Sequence, residues 1–347
     1  MTETFGKNTA PWHVFRGSGV PHDGVDNGEL PAPPPWRQFD GEPIERQLEG
    51  ATLRTRFLVE NDELDLINAA LFLRRPLLVT GKPGVGKTSL AGAVAHELKL
   101  GKVLDWPINT RSKLQEGLYN YDAVGRLQDH NLPASTSLGK DPASIGRYIR
   151  LGPLGTALLP SKRPRVLLID EIDKGDIDLP NDLLHAFEKG SFEIPELARL
   201  DLGGKPVSVF PNDSDDLVSI IGGQVQCHAF PFVVLTSNGE RDFPPPFLRR
   251  CIRLEIQQPG KEKLARIVLA HFREPAEPGK PLTETDLEKA KLTEIEDSLI
   301  TKFVSLREEK DLATDQLLNA MHLRAYGLDL NTEQLQDLRS ALFRELQ

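Results

Sequence analysis

Several things are scarce in this 347-residue chain, and each scarcity narrows the possibilities. There are two cysteines, Cys227 and Cys251, 24 positions apart and with no CxxC partner. No disulfide framework or thiolate zinc site is therefore readable. The eight histidines are scattered from His13 to His322 without ligand spacing, which argues against a histidine-based metal site. No apolar run approaches the ~20 residues that a membrane helix needs. The opening stretch from Met1 to Trp12 lacks the basic and then apolar order of a signal peptide. Positive charge is in deficit: 42 Lys and Arg against 51 Asp and Glu give a net charge of −9. That balance disfavours a bulk electrostatic grip on nucleic acid or an anionic membrane, while leaving room for a local basic patch. What is left is a soluble protein, expected in the cytoplasm, of ordinary composition with 39% apolar and 27% charged residues.

Glycine (28) and proline (27) are plentiful, and they are concentrated at the start. Residues 1–50 hold seven of each and show neither helical nor alternating apolar periodicity. They read as a Pro/Gly-rich extension. Its aromatics, Trp12, Phe15, Trp36 and Phe39, suit either a strap packed on its own globule or an arm docked on a neighbouring subunit.

From about residue 51 the pattern becomes regular. Asn61, followed by Asp62 and Glu63, reads as the cap of a helix running to about Leu73. Short apolar strands are expected at 76–80, 103–107, 165–169, 232–236 and 251–256, with helices at 88–98 and 179–189. Strands alternating with helices predict an α/β fold with a parallel sheet covered on both faces. After Pro259 the spacing turns helical throughout: Leu264, Ile267, Val268 and Phe272; then Leu317, Met321, Ala325 and Leu328; then Leu335, Leu338, Leu342 and Leu346, with Asn331 and Gln334 capping the last helix. The expected units are an α/β core at 51–258 and a helical domain at 259–347, near the two that this length suggests at roughly 150 residues each.

The strongest local signal is Gly81-Lys82-Pro83-Gly84-Val85-Gly86-Lys87-Thr88, which fits G-x-x-x-x-G-K-[ST] between a strand and a helix. Glycines let backbone N–H groups curl around a phosphate, and the helix N-terminus turns partial positive charge toward it. Lys87 would reach the β- and γ-phosphates and the Thr88 hydroxyl would bind Mg²⁺, with Ser89 as a further nucleotide-binding candidate. A second signal is Val166-Leu-Leu-Ile-Asp170-Glu171: Asp170 would hold Mg²⁺ through water, and Glu171 would polarise the attacking water as general base. Asp173 and Asp176 read as solvated acids. Ser237-Asn238 ends the fourth strand, where ligands gather in such sheets, so Asn238 would orient the water or the γ-phosphate. Phe243-Pro-Pro-Pro-Phe-Leu-Arg249-Arg250-Cys251 presents two guanidiniums at an edge, suited to stabilising transition-state charge in trans or simply to the surface.

This succession of phosphate loop, LLIDE, TSN and PPPFLRRC, followed by helices, resembles the AAA+ ATPases over about residues 51–347. Leu151-Gly-Pro-Leu-Gly155 is similar to a segment of the MoxR-type group, a helix-2-insert branch related to the dynein-like ATPases. The resemblance implies a P-loop core with strand order 5-1-4-3-2, a helical lid, and a hexameric ring with nucleotide between subunits. It makes Gly81 to Thr88 the Walker A segment, Asp170 and Glu171 Walker B, Asn238 sensor 1, and Arg250 the arginine finger with Arg249 as the near alternative. The nearly 60 residues before Arg165 and the 40 or so before Phe232 would be insertions, or else ordinary surface loops. In one respect the chain departs from the pattern. Where a sensor-2 arginine is expected, Asp311-Leu-Ala-Thr-Asp315-Gln has none, and Arg324 lies about three turns later. The resemblance implies an ATP- and Mg²⁺-dependent, chaperone-like machine acting on a protein client or a von Willebrand A-domain partner, with no membrane role. A slow nucleotide-dependent switch or scaffold in a bacterial defence or signalling assembly is the alternative, and the negative charge disfavours a DNA-acting motor.

Overall fold

A computed structural model describes residues 10–44, 57–130, 142–200, 204–272, 294–309 and 312–325. The expected last helix, with Leu328, Asn331 and Gln334, lies outside the described residues, as does Asp311.

Five strands make the central sheet: β1 (Leu77–Thr80), β2 (Leu104–Pro107), β3 (Val166–Asp170), β4 (Phe232–Ser237) and β5 (Ile252–Glu255). All neighbours run parallel, and the spatial order is β5-β1-β4-β3-β2, the order the resemblance implies. Side chains alternate between the two faces of a strand, so nearly continuous apolar sequence fills two cores at once. Leu78, Leu167, Ile169, Val233 and Leu235 pack on one face with α3 (Leu179–Lys189), and Leu77, Val79, Leu168, Val234 and Leu254 on the other with α1 (Asn61–Leu73) and α2 (Lys87–Glu97). The cap of α1 falls one residue earlier than the sequence suggests. Asn61 is its first helical residue, and the Glu60 N–H donates to Glu63 Oε2 at 2.8 Å.

Residues 10–44 follow the first of the two readings of the N-terminal extension and strap onto this same globule. Val14 and Phe15 are buried, and their N–H groups both donate to Asn68 Oδ1, at 2.8 and 2.9 Å. Glu97, buried at the end of α2, accepts from the N–H of Arg16 at 2.6 Å and of Gly19 at 2.8 Å. Further along, Phe39 stacks on Phe230 at 5.7 Å and the Gly41 N–H donates to the Cys227 carbonyl. Trp36 faces solvent, 77% exposed on a 3-10 turn, Pro35–Arg37, and Trp12 is 40% exposed.

The two long connections carry short strands that the sequence did not suggest. Tyr119–Tyr121 pairs antiparallel with Ile149–Leu151, and Ser191–Glu193, Gln224–Gln226, Val218–Ile221 and Pro206–Val209 form a small antiparallel sheet in that spatial order. Strands of three or four residues are too short to display a period. The glycines of Leu151-Gly-Pro-Leu-Gly155 have a packing reason. A Cβ on Gly152 would lie 2.3 Å from the Glu116 carbonyl oxygen, and one on Gly155 1.9 Å from that of Leu118, so helix Pro153–Ala157 rests directly on backbone. Arg165, just before β3, is 1% exposed and donates to Asp213 Oδ2 at 2.9 Å, which ties the second connection to the sheet.

Three further helices, α4 (Lys261–Phe272), α5 (Glu294–Glu309) and α6 (Thr314–Ala325), enclose a third core that includes Leu264, Val268, Phe303, Leu317 and Met321.

Candidate functional site

The parallel sheet turns the C-terminal ends of β1, β3 and β4 toward one edge, and the candidate residues leave from there. Thr80 at the end of β1 is in register with Ser237 of β4 and Glu255 of β5. The loop that follows takes positive φ at Gly81 (150°), Gly84 (72°) and Gly86 (98°), the conformations glycine supplies at least cost. Gly84 is also a close approach: a Cβ there would lie 2.2 Å from Ala313 Cβ, and the Thr314 N–H donates to the Gly84 carbonyl at 3.2 Å. The start of α6 is thus seated on the loop.

Lys87, the first residue of α2, is buried. Its Nζ donates to the carbonyls of Gly81 (2.7 Å) and Lys82 (2.9 Å) and to Asn238 Oδ1 (2.7 Å). Burial pushes this ammonium below the ordinary lysine range, against the pull of the Asp173, Asp170 and Glu171 carboxylates. The Thr88 hydroxyl donates to Asp170 Oδ1 at 3.1 Å, and the Thr236 hydroxyl donates to the same oxygen. A hydroxyl and a carboxylate set side by side are the hard oxygen donors that suit Mg²⁺.

Glu171 carries φ of 58°, a left-handed backbone that costs a non-glycine residue about 1–2 kcal/mol. Its N–H is held by the Thr236 hydroxyl at 2.9 Å, and its carboxylate lies 2.8 Å from Lys174 Nζ. That pairing, chiefly its hydrogen bond, keeps Lys174 above the ordinary lysine range.

The reading of Asp173 as a solvated acid is overturned. It is 5% exposed, and its Oδ2 accepts from the Ser237 hydroxyl (2.9 Å), the Asn238 N–H (2.9 Å) and the Glu240 N–H (3.2 Å). The apolar run ahead of it explains why the chain dives inward there: Ile172 is fully buried beneath the turn. Asp173 therefore fixes the turn that carries Asn238, whose side chain meets Lys87. Asp176 is exposed, as expected.

A cavity of about 370 Å³ opens over these groups. Pro83 to Ser89, Asp170, Glu171, Thr236 and Asn238 are part of its lining. Phe57, Leu58, Ile267 and Leu318 add apolar surface to the same lining, His271 adds a polar ring, and Asp315 joins it from the start of α6. Gly81 and Lys82 do not line it, and serve instead through the carbonyls that hold Lys87. The sequence did not single out Thr236 or the lining from α4 and α6; Thr236 opens the TSN triplet, but the helical residues read only as periodic apolar positions.

No arginine lines the cavity among the described residues. Arg250 is ion-paired with Glu188 at the end of α3, and its Nη1 donates to the Pro246 carbonyl at 3.3 Å. Arg249 is exposed, and its carbonyl accepts from Arg75. Arg324 falls in the last turn of α6, and its side chain lies outside those described. Arg307 is spent inside the helical unit, donating to the Leu312 carbonyl and the Thr314 hydroxyl, both at 2.9 Å, with its guanidinium over the Phe303 ring. Burial pushes its pKa down to about 10.

Residues 77–259, more than half of the chain, match the profile described as "ATPase family associated with various cellular activities (AAA)". No curated protein matches the sequence. Among solved structures, PCH-2 of C. elegans is similar at 16% identity and a TM-score of 0.32, over 72% of this chain and 55% of that one. The chain thus spans little more than half the length of that protein.

Proposed function

From the premise that this chain belongs to the AAA family of ATPases, we propose that it binds ATP with Mg²⁺ in the cavity, hydrolyses it, and uses the cycle to remodel or activate a partner protein. The observation that carries this reading is the convergence of Lys87, the Thr88–Asp170 pair, Glu171 and Asn238 in the lining of a single cavity. Lys87 neutralises phosphate charge by leaving Asn238 and the two carbonyls. Thr88 and Asp170 hold the metal, which when bound screens the phosphates and orients them. Glu171, released from Lys174, takes the proton of the attacking water, and Asn238 aligns that water. The apolar lining residues Phe57, Leu58 and Ile267 receive the base.

The finer assignments belong to the same proposal. Residues 51–258 form the ATPase core, 259–347 the lid and 1–50 an extension of the core. The working form is a ring of identical subunits, hexameric by family resemblance, located in the cytoplasm. Arg250, or Arg249 beside it, serves the nucleotide of the next subunit, since neither lines its own cavity. A MoxR-type chaperone role with a von Willebrand A-domain partner is the fit we favour, and a protein client suits the net charge of −9 better than nucleic acid. No helix among the described residues is long and apolar enough to cross a membrane.

Two observations favour a slower nucleotide switch as the second reading: the Glu171 carboxylate is tied to Lys174, and Asp315 stands where the lid would be expected to offer an arginine. Phosphate release with MgATP, measured over a range of protein concentrations, separates the two. Sustained turnover that climbs as subunits assemble supports the machine. Tight binding with no turnover at any concentration supports the switch.

A further inference from the structure

Besides the seat of Thr314 on the Gly84 carbonyl, the helical unit grips the α/β core through one lysine. Lys263 of α4 places its Nζ 3.3 Å from Glu63 Oε1 in α1 and 3.4 Å from Oε1 of Glu60, the residue that caps α1. Lys263 and Ile267 stand four residues apart, so they share a face of α4, and both line the cavity. Leu264 and Val268 are meanwhile buried in the core of the helical unit. Phe57 and Leu58, just ahead of Glu60, line the cavity too. The stretch from 57 to 63 therefore supplies both apolar lining and the two carboxylates that hold α4. Glu63 uses both of its oxygens: its side chain is 6% exposed, Oε2 accepts from the Glu60 N–H at 2.8 Å, and Oε1 accepts from Lys263. Burial pushes the Glu63 carboxyl above the usual carboxylate range, and the Glu60 N–H and then Lys263 oppose the rise, so the lysine favours the charged form.

We propose that Lys263 and Glu63 are positioning residues for nucleotide: their ion pair, with Glu60 as a third member, clamps α4 to the start of α1 and so sets how long a bound nucleotide stays. The inference rests on the proposed ATPase reading and deepens it, because it assigns the residence of the nucleotide to a contact that touches no phosphate. The clamp acts through its neighbours. Lys263 fixes the α4 face that carries Ile267, and Glu60 and Glu63 fix the stretch that carries Phe57 and Leu58, so the apolar residues that receive the base are held together from both sides. A lysine in the lining of an anion-binding cavity has another possible role, a direct contact with the nucleotide. The geometry decides against it. Leaving the triad for the ligand would strand the carboxylate of Glu63, which is buried, and an uncompensated buried charge is the costly outcome. Lys87 already stands at the phosphate loop for the phosphates.

The test uses the full chain loaded with a fluorescent ADP analogue and Mg²⁺, with dissociation followed by stopped flow after excess unlabelled ADP is added. Lys263→Met should release the analogue about 10-fold faster, the exposure of Lys263 and Glu60 holding the effect below that of a fully buried pair. Glu63→Gln, which keeps an acceptor for the Glu60 N–H and loses the charge, should release it faster to a similar degree. The double variant should be no faster than the faster single one, because both substitutions remove the same interaction. Lys263→Arg, which keeps the charge, should restore most of the residence time. In steady state the loss should fall on KM more than on kcat, a split that general loosening of the fold would not produce. If Lys263→Met and Glu63→Gln both release the analogue at the wild-type rate, the inference fails while the ATPase reading stands. If Lys263→Met is fast and Glu63→Gln is not, Lys263 touches the nucleotide directly and the clamp is refuted. If the wild-type chain binds no nucleotide, the ATPase reading fails and the inference with it.

Discussion

Asp173→Ala is the substitution whose outcome the structure constrains most tightly. A single buried oxygen accepts from the Ser237 hydroxyl, the Asn238 N–H and the Glu240 N–H, at 2.9, 2.9 and 3.2 Å. Hydrogen bonds to a charged group contribute about 1.5–3 kcal/mol each, and a buried donor left without a partner costs about 1–3 kcal/mol. These terms are not additive, and part of the loss is offset because a buried carboxylate no longer has to be desolvated. A net destabilisation of about 3 kcal/mol is expected. Asp173→Asn retains one acceptor oxygen for the three donors but loses the charge, so about half of that loss should return. The assay is urea denaturation followed by tryptophan fluorescence, read beside phosphate release. Both variants should turn over more slowly, Ala more than Asn, because the turn that aims Asn238 loosens. A midpoint for Asp173→Ala equal to wild type would refute the idea that this acid holds the turn, and would return it to the solvated role first read from the sequence.

Other perturbations probe other parts. Lys87→Ala removes the ammonium meant for the phosphates and should weaken ATP binding about 10- to 150-fold in calorimetric titration, the equivalent of about 1.5–3 kcal/mol; unchanged affinity would show that the loop does not use it. Arg250→Ala should bind ATP normally yet lose most turnover, and mixing it with Lys87→Ala subunits should restore part of the rate at junctions that pair an intact cavity with an intact arginine; if Arg249→Ala is the inactive variant instead, the two arginines exchange roles. Asp213→Ala removes the carboxylate paired with the Arg165 guanidinium, which is 1% exposed and still donates to the Lys102 carbonyl at 3.0 Å, and should destabilise the fold by about 3 kcal/mol in the same urea assay.

The phosphate loop and the strand ending in Asp170-Glu171 were legible because their chemistry is local: glycines, lysine and hydroxyl in one octapeptide, and acids directly after four apolar residues. The strand order followed from family resemblance and is the observed one. Less visible was whatever depends on distant partners. Asp173 resembles any acid after a strand until Ser237 and Asn238 are brought to it across the sheet. Ile267 shows helical spacing in the sequence, yet only tertiary packing brings it into the cavity lining, and Leu318 stands one position after the spaced Leu317. Trp12, Phe15, Trp36 and Phe39 stood out as aromatics in an irregular stretch, but their sequence does not say that Phe15 is buried beside Asn68 while Trp36 faces water.

The central claim is that this cavity hydrolyses ATP with Glu171 as the base. Its most direct test is Glu171→Gln in the full chain, measured for nucleotide binding and for phosphate release on the same preparation. The substitution keeps the shape of the side chain and removes the group that accepts the proton. Binding of MgATP close to wild type, with phosphate release reduced to background and the ATP-loaded form accumulating, is the expected result. Undiminished phosphate release would contradict the account, since the water would then be activated by some other group.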